Sequence, residues 1–208
     1  MRKLLCYYTM YSLGTNKRRE DTMTKKIGII LSTTRQGRIS PSIAEWVTTE
    51  VAKRPEFSTE LIDLEAINLP FFNEATTPSV APGTSDAAVA WAEKVTSLDA
   101  FIIVTAEYNA GYPAPLKNAL DYLKGEWANR PIFTISYGFS GGVSAAHQLS
   151  EVLTRIGTVQ IEPNIAILIG DKINANGSID DPHTSLAIHS EELDVALNAI
   201  NAWAPEAA

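Results

Sequence analysis

From Lys25 onward the chain alternates short apolar runs with longer segments whose apolar residues recur at helical spacing. Runs of the first kind have the length of strands, and segments of the second kind read as helices packed by one face. Strands are predicted over 26–32, 58–64, 100–105 and 131–136. A fifth strand, split or irregular, is predicted over 158–161 and 165–169, because Pro163 interrupts any simple ladder. The run Ala100-Phe101-Ile102-Ile103-Val104-Thr105 shows no polar alternation, as expected of a central parallel strand covered on both faces. In the second run Thr59, Leu61 and Leu64 point to an edge exposed on one side. Helices are predicted over 42–53, 85–97, 115–124, 142–156 and 184–203. Thr84-Ser85-Asp86 is an N-cap cluster, and Gly157 stands where a helix ending at Ile156 needs its C′ residue. The stretch 68–83 holds Pro70, Pro78 and Pro82 and no period, so it reads as a long loop of the kind that covers a site or forms a contact surface.

Alternating strands and helices are the signature of repeated βα units around a parallel sheet. The expected architecture is α/β, a flavodoxin-like three-layer sandwich with a five-stranded parallel sheet of order 2-1-3-4-5. Ligands of such a sheet bind beyond the carboxyl ends of its strands, at the switch between strands one and three. A Rossmann nucleotide-binding domain is the competing topology, but it requires Gly-x-Gly-x-x-Gly after strand one, and that motif is absent.

Composition narrows the function classes. With 208 residues, 45% of them hydrophobic, residues 23–208 have the size of one domain with a substantial core. Residues 1–22, with the charge-dense Lys17-Arg18-Arg19-Glu20-Asp21, are expected to be a poorly ordered extension; their interrupted apolar stretch and lack of a small-residue cleavage site do not fit a signal peptide. A net charge of −7 and a pI near 5.0 oppose nucleic-acid binding. No run approaches the roughly 20 apolar residues needed to span a bilayer, so no membrane partner is expected. The lone Cys6 excludes an intrachain disulfide and points to a reducing, cytoplasmic compartment, and the scattered His147, His183 and His189 offer no metal-binding pattern.

Three predicted loops carry the chemistry. After strand one comes Ser32-Thr33-Thr34-Arg35-Gln36-Gly37-Arg38-Ile39-Ser40-Pro41-Ser42, with hydroxyls, a glycine and two arginines directly before a helix. A helix start favours anions, and arginine can fork two donors onto a phosphate. Taken alone, this loop reads equally as a phosphate cradle or as a capped helix start with surface arginines. After strand three comes Glu107-Tyr108-Asn109-Ala110-Gly111-Tyr112-Pro113-Ala114-Pro115-Leu116-Lys117-Asn118. Its prolines suit the first turn of a helix, and Asn109 also suits an ordinary turn. After strand four, Ser136-Tyr137-Gly138-Phe139-Ser140-Gly141-Gly142 combines glycines, a hydroxyl and an aromatic. Glycines there let backbone amides approach a flat ligand closely.

The Glu-Tyr-Asn element followed by Pro-x-x-Leu-Lys-Asn-Ala-x-Asp resembles the signature of the NADPH-dependent FMN reductase family. The strand-one loop is similar to that family's Gly-Ser-x-Arg-x-x-Arg element, with Ser32 and Thr33 in place of Gly and Ser, and Ala106 stands where the family usually has Pro. The resemblance spans roughly 25–157 and implies that FMN is held by Thr33, Arg35, Arg38, Ile39 and Ser40 around its phosphate. It further places Glu107, Tyr108, Asn109 and Ala110 at the ring edge, and Tyr137, Gly138, Ser140, Gly141 and Gly142 at the pyrimidine side. Lys117, Asn118 and Asp121 are read as anchors of their helix.

No Ser-His-Asp order, exposed nucleophilic cysteine or carboxylate pair offers a protein-based catalyst, so a cofactor is expected to carry the reaction and no residue is assigned as catalytic. The resemblance implies an NAD(P)H oxidoreductase that passes hydride from NADPH or NADH through FMN to an oxidised acceptor, a quinone, flavin, azo compound or metal ion, by a ping-pong mechanism. An FMN-binding electron carrier without its own nicotinamide reaction is the alternative, and a flavin-free scaffold a third reading. A homodimer or homotetramer is also implied. Phe71, Phe72 and Trp91 are candidate contacts, with core packing the other reading of Trp91.

Overall fold

The computed structural model describes residues 24–174 and 177–204, so the expected extension over 1–22 lies outside the described residues. Five parallel strands form one sheet in the order β2-β1-β3-β4-β5. They are β1 (Lys25–Leu31), β2 (Phe57–Asp63), β3 (Ala100–Ala106), β4 (Pro131–Gly138) and β5 (Val159–Leu168). Every residue of β3 and β4 is buried, as in central strands covered on both faces. Register places Leu31 opposite Val104, and Ala106 opposite Tyr137, so the loops leaving β1, β3 and β4 emerge at one end of the sheet.

Helices cover both faces. On one side α1 (Ser40–Ala52) and α7 (Ser190–Ala202) bury Ile43, Trp46, Val47, Leu193, Leu197 and Ile200 against Ile27, Ile29, Ile102, Val104 and Ile135. On the other, α3 (Asp86–Thr96), α4 (Ala114–Asp121) and α5 (Val143–Ile156) bury Trp91, Val95, Leu116, Leu120, Leu149 and Leu153 against Ile30, Phe101, Ile103 and Ile132. Two short helices, α2 (Leu64–Ile67) and α6 (Pro182–Ser185), complete the set. The Lys25 ammonium donates to the carbonyls of Ile200 and Asn201 at 2.9 and 2.7 Å, a cation at the carbonyl end of α7.

Several expectations need correction. Strand two ends at Asp63, and Leu64 is buried at the start of α2; of the residues thought to mark an open edge, Leu61 is exposed. The expected helix over 184–203 is broken. Asp181 caps α6 through the Thr184 N–H at 3.1 Å, a 3₁₀ turn over Ala187–His189 follows, and α7 begins at Ser190. Apolar helical spacing starts only at Leu193, and the exposed Ile188 belongs to no stripe. β5 is irregular as expected, though not split: Phe133 faces Ile161 whereas Ile135 faces Ile165, leaving Pro163 within the extra length of one bulged strand. Trp91 is a core residue, its indole N–H donating to the Ala119 carbonyl at 2.8 Å, and it is withdrawn as a subunit contact.

Candidate functional site

At the carboxyl end of the sheet the three loops enclose a cavity of about 620 Å³, within the size range of small-molecule sites. From the first loop Arg35, Arg38 and Ile39 line it; from the second, Glu107, Tyr108, Asn109 and Ala110; from the third, Tyr137, Gly138 and Ser140. Thr33, Ser40, Gly141 and Gly142 were expected with them and stand outside the lining. Ala106, Phe139 and Ile169 line the cavity without having been singled out. Phe139 sits in the quoted loop and its aromatic ring was the available signal, whereas Ile169 looks like any strand residue.

The first loop offers donors. Among the described residues, the backbone N–H groups of Thr34, Arg35, Gln36 and Gly37 have no protein acceptor, and they precede the 13-residue α1. The Arg35 guanidinium is exposed and, among the described residues, bonds only the Gln36 carbonyl, at 3.1 Å. Arg38 is placed differently. Its Nη1 and Nη2 fork onto the Asp63 carboxylate at 2.5 and 2.6 Å, Nη1 also reaches the Thr33 carbonyl at 2.8 Å, and Nη2 meets Glu65 Oε2 at 2.6 Å. The hydrogen bond from Arg38 holds the Asp63 carboxyl below the usual carboxylate range, and Asp63 in turn raises the guanidinium pKa. Sequence reading missed Asp63 and Glu65; Asp63 ends a strand on the ligand side of the sheet, which was the signal that could have found it.

Behind the cavity wall, Thr33 Oγ1 and Ser40 Oγ lie 2.6 Å apart, both fully buried. Burial pushes the Tyr137 phenol up, opposed by hydrogen bonds with Thr33 and Ser40, so this ring ties β4 to the first loop.

The second loop is a tight turn. Tyr108 and Gly111 exchange backbone hydrogen bonds of 2.8 and 3.0 Å, and both central residues are left-handed, Asn109 at φ 50° and Ala110 at φ 63°, the conformation of a type I′ turn. Gln148 Nε2 donates to the Ala110 carbonyl at 2.7 Å and fixes the turn to α5. Glu107 Oε2 accepts from the N–H groups of Ser144 and Ala145 at 3.0 and 3.3 Å, capping α5 from a neighbouring loop. The third loop packs backbone on backbone: a Cβ on Gly142, at φ 72°, would lie 2.7 Å from the Tyr137 nitrogen. Away from the cavity, Asn118 Oδ1 accepts from the Phe72 N–H at 2.9 Å and its Nδ2 donates to the Pro70 carbonyl at 2.7 Å, while Lys117 pairs with Asp121 at 2.6 Å.

This donor set fits a phosphorylated planar ligand: free amides and a guanidinium at one end, close-packed backbone walls at the other. Residues 25–170 match the profile of the NADPH-dependent FMN reductases. The chain belongs to that family. It is an oxidoreductase of the flavodoxin-like fold, with FMN and NAD(P)H as its cofactors. An NAD(P)H-dependent FMN reductase of Schizosaccharomyces pombe is 34% identical over 176 residues, covering 84% of this chain and 88% of its own. One from Saccharomyces cerevisiae is 32% identical over 179 residues, covering 81% of this chain and 92% of its own. Among solved structures, FerB, a flavoenzyme NAD(P)H:(acceptor) oxidoreductase from Paracoccus denitrificans, superposes with a TM-score of 0.67 at 21% identity, covering 85% of this chain and 97% of its own, and shows the shared fold. No described helix of this family member is long and apolar enough to cross a membrane.

Proposed function

We propose that the cavity at the carboxyl end of β1, β3 and β4 holds FMN, and that the chain oxidises NADPH or NADH and reduces a small-molecule acceptor, a quinone, flavin, azo compound or metal ion, in alternating half-reactions. FMN, when bound, supplies the hydride and electron chemistry. The observation that carries this reading is the row of amides over 34–37, unpaired among the described residues, beside the Arg35 guanidinium and a cavity of about 620 Å³.

In this reading the amides and Arg35 bind the phosphate, whose charge approaches −2 at neutral pH. Glu107, Tyr108, Asn109 and Ala110 form one wall for the planar ring, and Tyr137, Gly138, Phe139 and Ser140 the facing one. Thr33, Ser40, Gly141 and Gly142 shape those walls from behind. The chain's part is position and exclusion of water, and no side chain is assigned a proton transfer. Two rings stand out to solvent, Phe71 and the wall residue Phe139, each 82% exposed. They support a homodimer or homotetramer in which a second copy covers the cavity mouth. The single cysteine supports a cytoplasmic setting.

The test is Arg35→Ala. Losing a charge-assisted contact to phosphate is expected to weaken FMN binding about ten- to a hundredfold, while the flavin-free protein melts within a degree or two of wild type, since among the described residues the exposed Arg35 side chain bonds only its neighbour's carbonyl. Equal losses of FMN affinity and of flavin-free stability would contradict the phosphate assignment.

A further inference from the structure

Two arginines stand in the first loop, and their surroundings set them apart. A guanidinium has five N–H donors. Three of the four on Nη1 and Nη2 of Arg38 bond Asp63 Oδ1, Asp63 Oδ2 and the Thr33 carbonyl, and Glu65 Oε2 pairs with Nη2 at 2.6 Å, all within 2.8 Å. Its side chain is 14% exposed. One positive charge faces two carboxylates here, so the cluster as a whole is negative and is a poor partner for a phosphate dianion. Among the described residues, Arg35 meets no carboxylate.

We infer that Arg38 does not bind the FMN phosphate but is a positioning residue, locked by Asp63 and Glu65 so that its bond to the Thr33 carbonyl closes the 33–38 loop and keeps the loop's amides aimed into the cavity. The two ends of the loop are joined through Arg38, and the end of β2 supplies the lock. Asp63 does a second job, accepting the Glu65 N–H at 3.0 Å to cap α2, so the cap that starts α2 and the lock on the loop share one carboxylate. The distinction has a chemical consequence. A phosphate ligand would be freed by loss of the Asp63 carboxylate, whereas this lock would be broken by it.

The inference rests on FMN occupying the cavity, and its test separates the two. FMN and riboflavin, which has the same ring and no phosphate, are titrated onto flavin-free wild type, Asp63→Asn, Arg38→Lys and the double variant Asp63→Asn/Arg38→Ala, with the melting temperature of each flavin-free protein recorded. Asp63→Asn is expected to weaken FMN about tenfold and to leave riboflavin within about twofold, because only the phosphate loop loses its aim. Arg38→Lys is expected to do the same although it keeps the charge, and Asp63→Asn is expected to add nothing in the Arg38→Ala background. If Arg38 were a phosphate ligand restrained by Asp63, freeing it would leave FMN binding unchanged or tighter, and that result overturns the inference. Parallel loss of FMN and riboflavin, with a lowered melting temperature, assigns the cluster to general stability and also overturns it. Should Asp63→Asn not fold, Glu65→Gln, which removes the other carboxylate from Arg38 Nη2, is read in its place with the same two outcomes. A wild type that binds neither flavin would instead remove the functional reading beneath it.

Discussion

Ala110 holds a left-handed backbone at φ 63° in a turn whose other central residue, Asn109, tolerates that region. Alanine gains nothing there from its methyl group, and the conformation costs about 1–2 kcal/mol. The hydrogen bond from Gln148 and the paired bonds between Tyr108 and Gly111 hold it in place. Ala110→Gly is therefore expected to stabilise the flavin-free protein by about 0.5–1 kcal/mol, the relief of strain less the extra entropy glycine loses on folding. Urea denaturation measures it, and a destabilised glycine variant would show that the methyl group packs against something the turn needs. At this scale the sequence was legible where a residue type implies one chemistry and silent where partnership decides. Arg35 and Arg38 look alike in the sequence, and only the folded position of Asp63 separates them.

Glu107 shows how one element depends on its neighbour. Helix α5 begins at Val143 behind Gly142, whose lack of a side chain leaves the helix without a cap of its own. The carboxylate at the end of β3 fills that role by accepting from Ser144 and Ala145. Glu107→Ala is expected to cost about 1 kcal/mol, the usual value of an N-cap, and Glu107→Gln less, since one acceptor oxygen remains. Chemical denaturation of the flavin-free variants checks the order, and an unchanged Glu107→Ala would show that water caps the helix as well. β3, buried on both faces, was legible from its unbroken apolar run, and β4 from its strong β-forming residues. Harder were elements whose limits depend on a cap. The four-residue α2 exists because Asp63 caps it, and the split of the last helical region turns on Asp181, which no apolar period marks.

For the whole molecule, βα alternation and the missing Gly-x-Gly-x-x-Gly were enough to select the sheet order, because parallel strands need crossovers and ligands collect where the crossovers reverse. The assembly was less legible, since a large apolar side chain reads the same in a core and in an interface: Trp91 proved internal, while Phe71 is bare. A homodimer or homotetramer is expected by sedimentation, and a monomer at micromolar concentration would remove the role given to Phe71 and Phe139. The redox assignment itself is tested most directly by anaerobic titration of the FMN-loaded protein with NADPH and, separately, NADH. The account predicts stoichiometric bleaching of the yellow flavin by at least one of them, with colour restored when a quinone is added after the nicotinamide is consumed. A protein that takes up FMN and stays yellow with both would be an electron carrier, and one that takes up no FMN would contradict the account at its root.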